Sequence, residues 1–282
     1  MKSGPSTLSV GLSIPTYGRK KELSRLLESL SNQSILPDQI VIVDQNNPGF
    51  LDLVIREWVD KLPIQHDVVS YKSASKARNH GARKLTTEII AFPDDDCIFT
   101  EGAIEQIRQT FFNNPSFDVL IGQKPIRRDK SFTNTNKTKT VKTILDLFNA
   151  KAETSNIFCR KGLTLKMPML FNECIGPGDQ TSVISNEETD LLVRMLRENA
   201  KIVLCTGIQI NHHSSQVSFK RSLKYAEGRY ELVRRQKLGL FYYLINLLQP
   251  LVRLAKHPSL EGLQYCVATM LGRSGITRLI RH

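Results

Sequence analysis

The sequence predicts an α/β protein: a mainly parallel central sheet flanked by helices, followed by a basic helical C-terminal appendage. Three observations predict it. Through residue 122, short apolar runs alternate with stretches of helical periodicity, the pattern of strands joined by crossover helices. One apolar run ends in three consecutive acids, Asp94, Asp95 and Asp96, where an open α/β sheet places its ligands. The formal charge of +12 is concentrated toward the C-terminus.

Residues 8–14 alternate apolar and small side chains, as a strand does. Leu23, Leu26, Leu27 and Leu30 fall on one face of a helix. Residues 39–44 are a short apolar run ending in an acid, hence a buried strand. Residues 50–59 read as a helix stopped near Pro63, and Val68, Val69 and Ser70 as a weak strand. A basic helix over 75–85 precedes the strand 89–92 that feeds the acids. A helix over 103–112 and a strand over 117–121 follow. Residues 124–143 are rich in Lys, Thr, Asn and Arg with almost no apolar side chains, which predicts an exposed loop. Beyond it, 156–159 reads as a strand and 187–198 as a helix with Leu191, Leu192, Met195 and Leu196 facing the core. Residues 202–204 and 208–210 read as two short strands.

A chain of 282 residues with 40% hydrophobic content makes one large domain, or one domain with an appendage. The five cysteines are scattered and form no C-x-x-C pair. That argues against a disulfide framework or zinc site, and for a reducing compartment. Residues 1–9 are polar, with no apolar stretch of signal-peptide type. From residue 215 onward, twelve Lys or Arg face only Glu227, Glu231 and Glu261, so this segment carries +9 of the +12. Its apolar run over 238–248 is interrupted by Gln249, Pro250 and Arg253 and falls short of the ~20 residues a spanning helix needs. Apolar residues mixed with cations predict helices lying on an anionic membrane surface. A helical cap packed on the body is the competing reading.

The chemistry concentrates at strand ends. Three adjacent carboxylates repel one another. The usual counter-charge is a divalent cation with a diphosphate as its other ligand. An acidic turn capping the next helix is the competing reading, since Thr100 and Glu101 resemble a helix start. Pro15, Thr16, Tyr17, Gly18 and Arg19 close the first strand with a turn that offers amides, a hydroxyl and an aromatic face to a base and ribose. Asp44 ends the second strand, where its carboxylate can accept from a base N–H or a ribose hydroxyl. Lys76 and Arg78 open a helix beside small residues and suit a diphosphate. Together these features describe a nucleoside-diphosphate site with a metal. Glu187, Glu188 and Asp190 start a later helix, a firm mount for a general base, although acids there also satisfy the helix dipole. His212 and His213 follow a strand that returns toward the same edge. A sugar-nucleotide nucleotidyltransferase would want a Gly-rich loop after the first strand, and Pro15-Thr16-Tyr17-Gly18 is not one. A nucleic-acid-binding protein would need aromatics among its cations; Tyr225 and Tyr230 are the nearest, and the acids would go unexplained.

At residues 8–213 the chain resembles a family 2 glycosyltransferase of the GT-A (nucleotide-diphospho-sugar transferase) fold. The resemblance is carried by Ser13-Ile14-Pro15-Thr16-Tyr17-Gly18-Arg19, Val41-Ile42-Val43-Asp44, Ser75-Lys76-Ala77-Arg78-Asn79, Asp94-Asp95-Asp96, Phe171-Asn172-Glu173-Cys174-Ile175-Gly176 and Glu187-Glu188-Thr189-Asp190-Leu191. It implies a catalytic body over 1–214, with a nucleotide-sugar half (1–122) and an acceptor and base half (123–214), and a basic tail over 215–282. It implies Mg²⁺ or Mn²⁺ on the D-x-D signature. Asp96 would be the chief ligand, Asp94 or Asp95 would lie on metal or ribose, and His212 or His213 nearby. Thr16, Tyr17 and Asp44 would hold the nucleoside, Arg78 would support the diphosphate, and Glu188 would be the base. Two positions depart from the family. Glu188 replaces the usual Asp and is one methylene longer. Gln45 stands where many members have a second Asp on the uracil ring. The implied reaction is inverting transfer from a nucleoside-diphosphate sugar, a UDP-sugar favoured, to a saccharide or lipid-linked acceptor. The expected location is the cytoplasm, at the inner face of the cell membrane, with no nucleic-acid partner.

Overall fold

The computed structural model describes residues 8–123, 137–212, 218–256 and 258–279. β1 (Val10–Thr16) is buried at every position, so helices must cover both of its faces. α1 (Lys20–Ser31) does so with Leu23, Leu26, Leu27 and Leu30. β2 (Gln39–Asp44), α2 (Asp52–Trp58), β3 (Ile64–Val68), α3 (Ala74–Lys84) and β4 (Ile89–Ala91) follow. The order β3-β2-β1-β4 is parallel throughout. The chain runs outward from β1 to β3, and α3 carries it back to the far side of β1. The strand order therefore reverses between β1 and β4, which opens a crevice at their carboxyl ends.

The second half comprises β5 (Cys97–Phe99), α4 (Ala103–Asn113), β6 (Val119–Gln123), β7 (Thr138–Val141), α5 (Ile144–Asn149), β8 (Ile157–Arg160), α6 (Lys161–Thr164), α7 (Glu187–Arg197) and β9 (Ile202–His212). The sheet continues β4-β8-β6-β9-β5, and β7 also pairs with β9. β8 is antiparallel to β4 and β6, so β6 and β9 run in the direction of β1 to β4. The carboxyl ends of β1, β2, β4 and β9 thus lie along one edge.

Three expectations change. The weak strand at 68–70 starts earlier, because Ile64 to Val68 pair in register with Ile40 to Asp44. The two short strands at 202–210 are one strand, β9, because β6 and β7 hold its beginning and β5 its end. The exposed loop foreseen over 124–143 falls partly outside the described residues. Thr138–Val141 is a strand, with three of its four residues exposed on the sheet margin. Thr143 then caps α5 through a capping box with Asp146.

The tail folds as α8 (Phe219–Arg235), α9 (Gly239–Lys256), α10 (Leu260–Ser274) and α11 (Ile276–Leu279). Leu232 and Val233 of α8 share a core with Phe92, Phe171, Leu191 and Met195, so α8 is built into the body. Gln236 donates to Asp190 at 2.6 Å, and Ser185 to the Tyr225 carbonyl at 2.8 Å. α9 runs straight through Pro250. Arg273 of α10 donates to the Asn246 carbonyl at 2.6 Å. Leu240, Phe241, Leu244, Leu248, Leu251 and Val252 form an exposed stripe along α9, with Phe241 64% accessible. Among the described residues no helix is long and apolar enough to cross a membrane.

The seat of α8 gives a test. Gly→Ala inside a helix ordinarily stabilises by about 1 kcal/mol. A Cβ at Gly228 would lie 2.2 Å from the Ser185 Oγ and 2.6 Å from its carbonyl oxygen. Overpacking against backbone costs about 1–3 kcal/mol, so the clash wins. Gly228→Ala is expected to lower the urea midpoint; a raised midpoint would show that α8 does not sit this close.

Candidate active site

β4 stops at Ala91, and the chain turns through the acids into β5, with the Cys97 N–H on the Asp94 carbonyl at 3.1 Å. β5 then pairs with the end of β9 so that Cys97 lies opposite His212. This register delivers the histidine. Its Nε2 is 3.0 Å from Asp96 and 3.7 Å from Asp94, and its Nδ1 is 3.5 Å from Glu153. Ligand atoms of Asp94, Asp96, Cys97 and His212 all lie within 4.8 Å of one another. Burial, with the charges of Asp94 and Asp96, pushes the Cys97 thiol far up, so it stays protonated and is a poor ligand. Two carboxylates and one imidazole remain, a donor set that fits Mg²⁺ or Mn²⁺. His213 lies outside the described residues.

The acids already have protein counter-charges. Arg19 reaches Asp95 at 2.9 Å and Asp96 at 2.7 Å. Arg78 holds Asp94 at 2.5 Å, and the Thr154 hydroxyl lies 3.2 Å from both Asp94 oxygens. Burial pushes the Asp95 carboxyl up to about 6 against the pull of Arg19. Burial would raise Asp96 too, but His212 and Arg19 outweigh it and hold Asp96 below the usual range. His212 is raised in turn by its bond to Asp96. Besides the divalent cation that the acids imply, two guanidiniums and an imidazole therefore face the triplet.

On the nucleoside side, Pro15 and Thr16 end β1 beside Val43 and Asp44. Tyr17 is 50% exposed, its ring under the Lys72 ammonium at 4.6 Å. Asp44 is fully buried. It accepts from the Asn46 backbone at 2.9 Å and its side chain at 2.7 Å, and meets His66 at 3.0 Å. Burial would raise this carboxyl; His66 and Asn46 hold it below its usual range. Asn46 in turn accepts from the Gly18 N–H at 2.7 Å. Asp44 thus anchors the turn that presents Tyr17, and its oxygens are already engaged. Gln45 accepts from the Ser73 N–H at 2.6 Å. Lys76 is exposed and stands over the Tyr71 ring at 4.3 Å. Arg78 departs further from expectation. It is 3% exposed and bridges Asp94 to Glu187, 3.3 Å away, rather than facing the crevice.

The start of α7 hangs on the same framework. Asn79 of α3 donates to the Phe171 carbonyl at 2.8 Å and to Glu173 at 3.0 Å, and Ser75 donates to the Ile175 carbonyl at 2.6 Å. Asn186 turns left-handed, φ 70°, and α7 begins. Glu187 is buried on Arg78. Glu188, half-buried, accepts from the Thr189 hydroxyl at 2.9 Å. Burial, then the charge of Glu187, pushes Glu188 up to about 7; Arg229 pulls the other way. Arg229 comes from α8, its guanidinium 4.4 Å over the Phe148 ring and its Nη1 buried without a partner among the described residues. Burial lowers it to about 10. Sequence reading counted Arg229 only as tail charge and missed Glu153 and Thr154 entirely. No local pattern marks them, because only the tertiary fold brings them in.

Residues 12–171, more than half of the chain, match the model of glycosyl transferase family 2. The O-antigen chain rhamnosyltransferase RfbN of Salmonella typhimurium is 20% identical over 223 residues, 73% of this chain and 66% of that one. In two bacterial glycosyltransferases of 34% and 30% identity, the match spans 37% and 36% of their own length. The fold is shared with S. aureus TarS in complex with UDP-GlcNAc, at TM-score 0.62 and 18% identity over 95% of this chain and 73% of that one. It is shared too with the mannosyltransferase PcManGT of Pyrobaculum calidifontis in complex with GDP-Man and Mn²⁺, at TM-score 0.67 and 12% identity over 98% and 87%. On the family match and the GT-A architecture around the acids, this chain belongs to glycosyl transferase family 2.

Proposed function

We propose that this transferase moves a sugar from a nucleoside-diphosphate sugar, a UDP-sugar favoured, to a hydroxyl of a saccharide or lipid-linked saccharide in cell-surface polysaccharide synthesis. The observation that carries the reading is the bridge from Asp94 through the buried Arg78 to Glu187, which ties the acid cluster to the start of the helix that holds Glu188. TarS with UDP-GlcNAc and PcManGT with GDP-Man and Mn²⁺ support a donor of this class.

Tyr17 receives the base on its exposed face, with Thr16 at the same strand end. Asp94, Asp96 and His212 would hold a divalent ion, which when bound supplies positive charge to the leaving diphosphate. Arg19, half exposed, can leave Asp95 and Asp96 to meet the diphosphate; Lys76 faces solvent with the same charge. Glu188 accepts the proton of the acceptor hydroxyl as that oxygen attacks the anomeric carbon from the side opposite the diphosphate. The attack forms the new C–O bond as the C–O bond to the diphosphate breaks, so the configuration inverts. The leaving group is already a stable anion and needs no acid.

The tail fits a membrane-facing role. The apolar stripe of α9 is one helical face, and Arg253 and Lys256 end the helix. A helix of this kind lies in an interface with its cations toward anionic lipid.

Chelation is expected to abolish transfer, with Mg²⁺ or Mn²⁺ restoring it, and Asp96→Ala to cost several kcal/mol of transition-state stabilisation. A donor-hydrolysis screen over UDP-, GDP- and dTDP-sugars checks both; full turnover of Asp96→Ala in EDTA would refute the metal site. Glu188→Gln is expected to keep donor binding and lose about 10²-fold or more in transfer. If Glu187→Gln abolishes turnover and Glu188→Gln does not, the base is misassigned.

A base works only deprotonated, so transfer is expected to rise with pH through about 7 and then level off. Arg229 favours the carboxylate, so Arg229→Met should move that limb to higher pH; an unmoved pH–rate profile would separate Arg229 from Glu188. Wild-type protein is expected to sediment with anionic vesicles at low salt and dissociate at high salt, and Leu244→Glu/Leu248→Glu to weaken this. A wild type that ignores such vesicles would make the tail a structural cap.

A further inference from the structure

A pocket of about 450 Å³ lies between the 177–184 loop and the start of α8. One wall is Pro177, Gly178 and Ile184. The Ala74 N–H donates to the Pro177 carbonyl at 2.9 Å, and Gly178 bridges to Ser73, so this wall joins the segment whose Lys72 stands over Tyr17. Ile184 stands four residues before Glu188. The loop that walls the pocket therefore pairs with the segment before α3 and leads into α7, which carries Glu188.

The other wall is Lys220, Arg221 and Lys224. All three side chains are exposed, and the lining contains no acid. None of the three has a carboxylate partner among the described residues; α8 makes its ion pairs further on, from Glu231 to Arg234 and Arg235. Three cations around one concavity repel one another, and an anion entering it relieves that repulsion and gains charge-assisted hydrogen bonds. The lining offers no side-chain carboxylate or carboxamide to accept from the hydroxyls of a neutral sugar. Tyr225, 42% exposed under the Arg221 guanidinium at 5.3 Å, adds an aromatic face of the kind a sugar ring packs on.

We propose that this pocket binds a phosphate carried by the acceptor: the acceptor is a phosphate-bearing saccharide or polyol, with its anionic group at Lys220, Arg221 and Lys224 and the hydroxyl that Glu188 deprotonates elsewhere on the same molecule. The inference rests on the assignment of Glu188 as base. It makes the acceptor an anion, and the enzyme that supplies it one that forms a sugar-phosphate or polyol-phosphate ester.

The test titrates full-length protein, saturated with UDP to fill the donor side, with glucose 1-phosphate and with glucose in a calorimeter. Glucose 1-phosphate is expected to bind and glucose not. Lys220→Ala/Arg221→Ala/Lys224→Ala is expected to weaken glucose 1-phosphate about tenfold or more, with UDP affinity and thermal midpoint unchanged. Equal or absent binding of the two sugars, or a triple variant that binds glucose 1-phosphate as the wild type does, would overturn the proposal. So would a triple variant that loses phosphatidylglycerol vesicles while wild type ignores glucose 1-phosphate, since the cations then serve lipid headgroups. Sugar transfer by Glu188→Gln, followed alongside, keeps the two readings apart: unaltered transfer with intact glucose 1-phosphate binding removes the base and leaves only the anion pocket, whereas lost transfer with absent glucose 1-phosphate binding keeps the base and removes the pocket.

Discussion

The guanidinium of Arg78 is the contact on which the site depends. It is buried at 3% exposure between Asp94 and Glu187. These carboxylates belong to segments 93 residues apart, one following β4 and one at the start of α7. A buried cation needs its partners: breaking a buried pair by removing one member typically costs about 3–5 kcal/mol, because the other charge is stranded. The same bridge that holds α7 in place therefore also fixes the distance between the acid cluster and Glu188. Rigid mounting of this kind is what catalysis by orientation requires.

Charge balance organises the rest. The acid triplet is surrounded by Arg19, Arg78 and His212, so the fold tolerates it without any ligand. The three partners are not equivalent. Arg78 is locked in, His212 is fixed by the β5–β9 register, and Arg19 remains half exposed on a turn. Only Arg19 can be exchanged at small cost, which separates a permanent scaffold from one adjustable charge. Glu188 sits in a second balance, raised by burial and Glu187 and lowered by Arg229. One helix of the basic tail thereby reaches the chemistry.

Much of this was legible in the sequence. The apolar runs of β1, β2 and β4 and the leucine spacing of α1 need only local pattern, and the acids at the end of β4 mark the crevice. The metal candidates Asp94, Asp96 and His212 do come together. What local pattern could not reveal has a common cause. β5 is three residues long and looks like the tail of the acidic turn, yet its pairing alone aims His212. Asp44 is an acid at a strand end, but whether its oxygens face a ligand or Asn46 and His66 depends on the turn beyond. Arg78 looks like an anion ligand until its two carboxylate partners arrive from elsewhere in the chain. Arg229 is one of twelve tail cations, and only the packing of α8 distinguishes it.

Pro250 has a further consequence. A proline in mid-helix lacks the N–H that would bond the carbonyl four residues back, and typically costs about 3 kcal/mol or more. In α9 that carbonyl belongs to Asn246, and it is taken up by Arg273 of α10. The defect in one helix is thus completed by its neighbour, and α9 on its own would be a poor helix. Its apolar stripe becomes a single ordered surface only after α10 has docked.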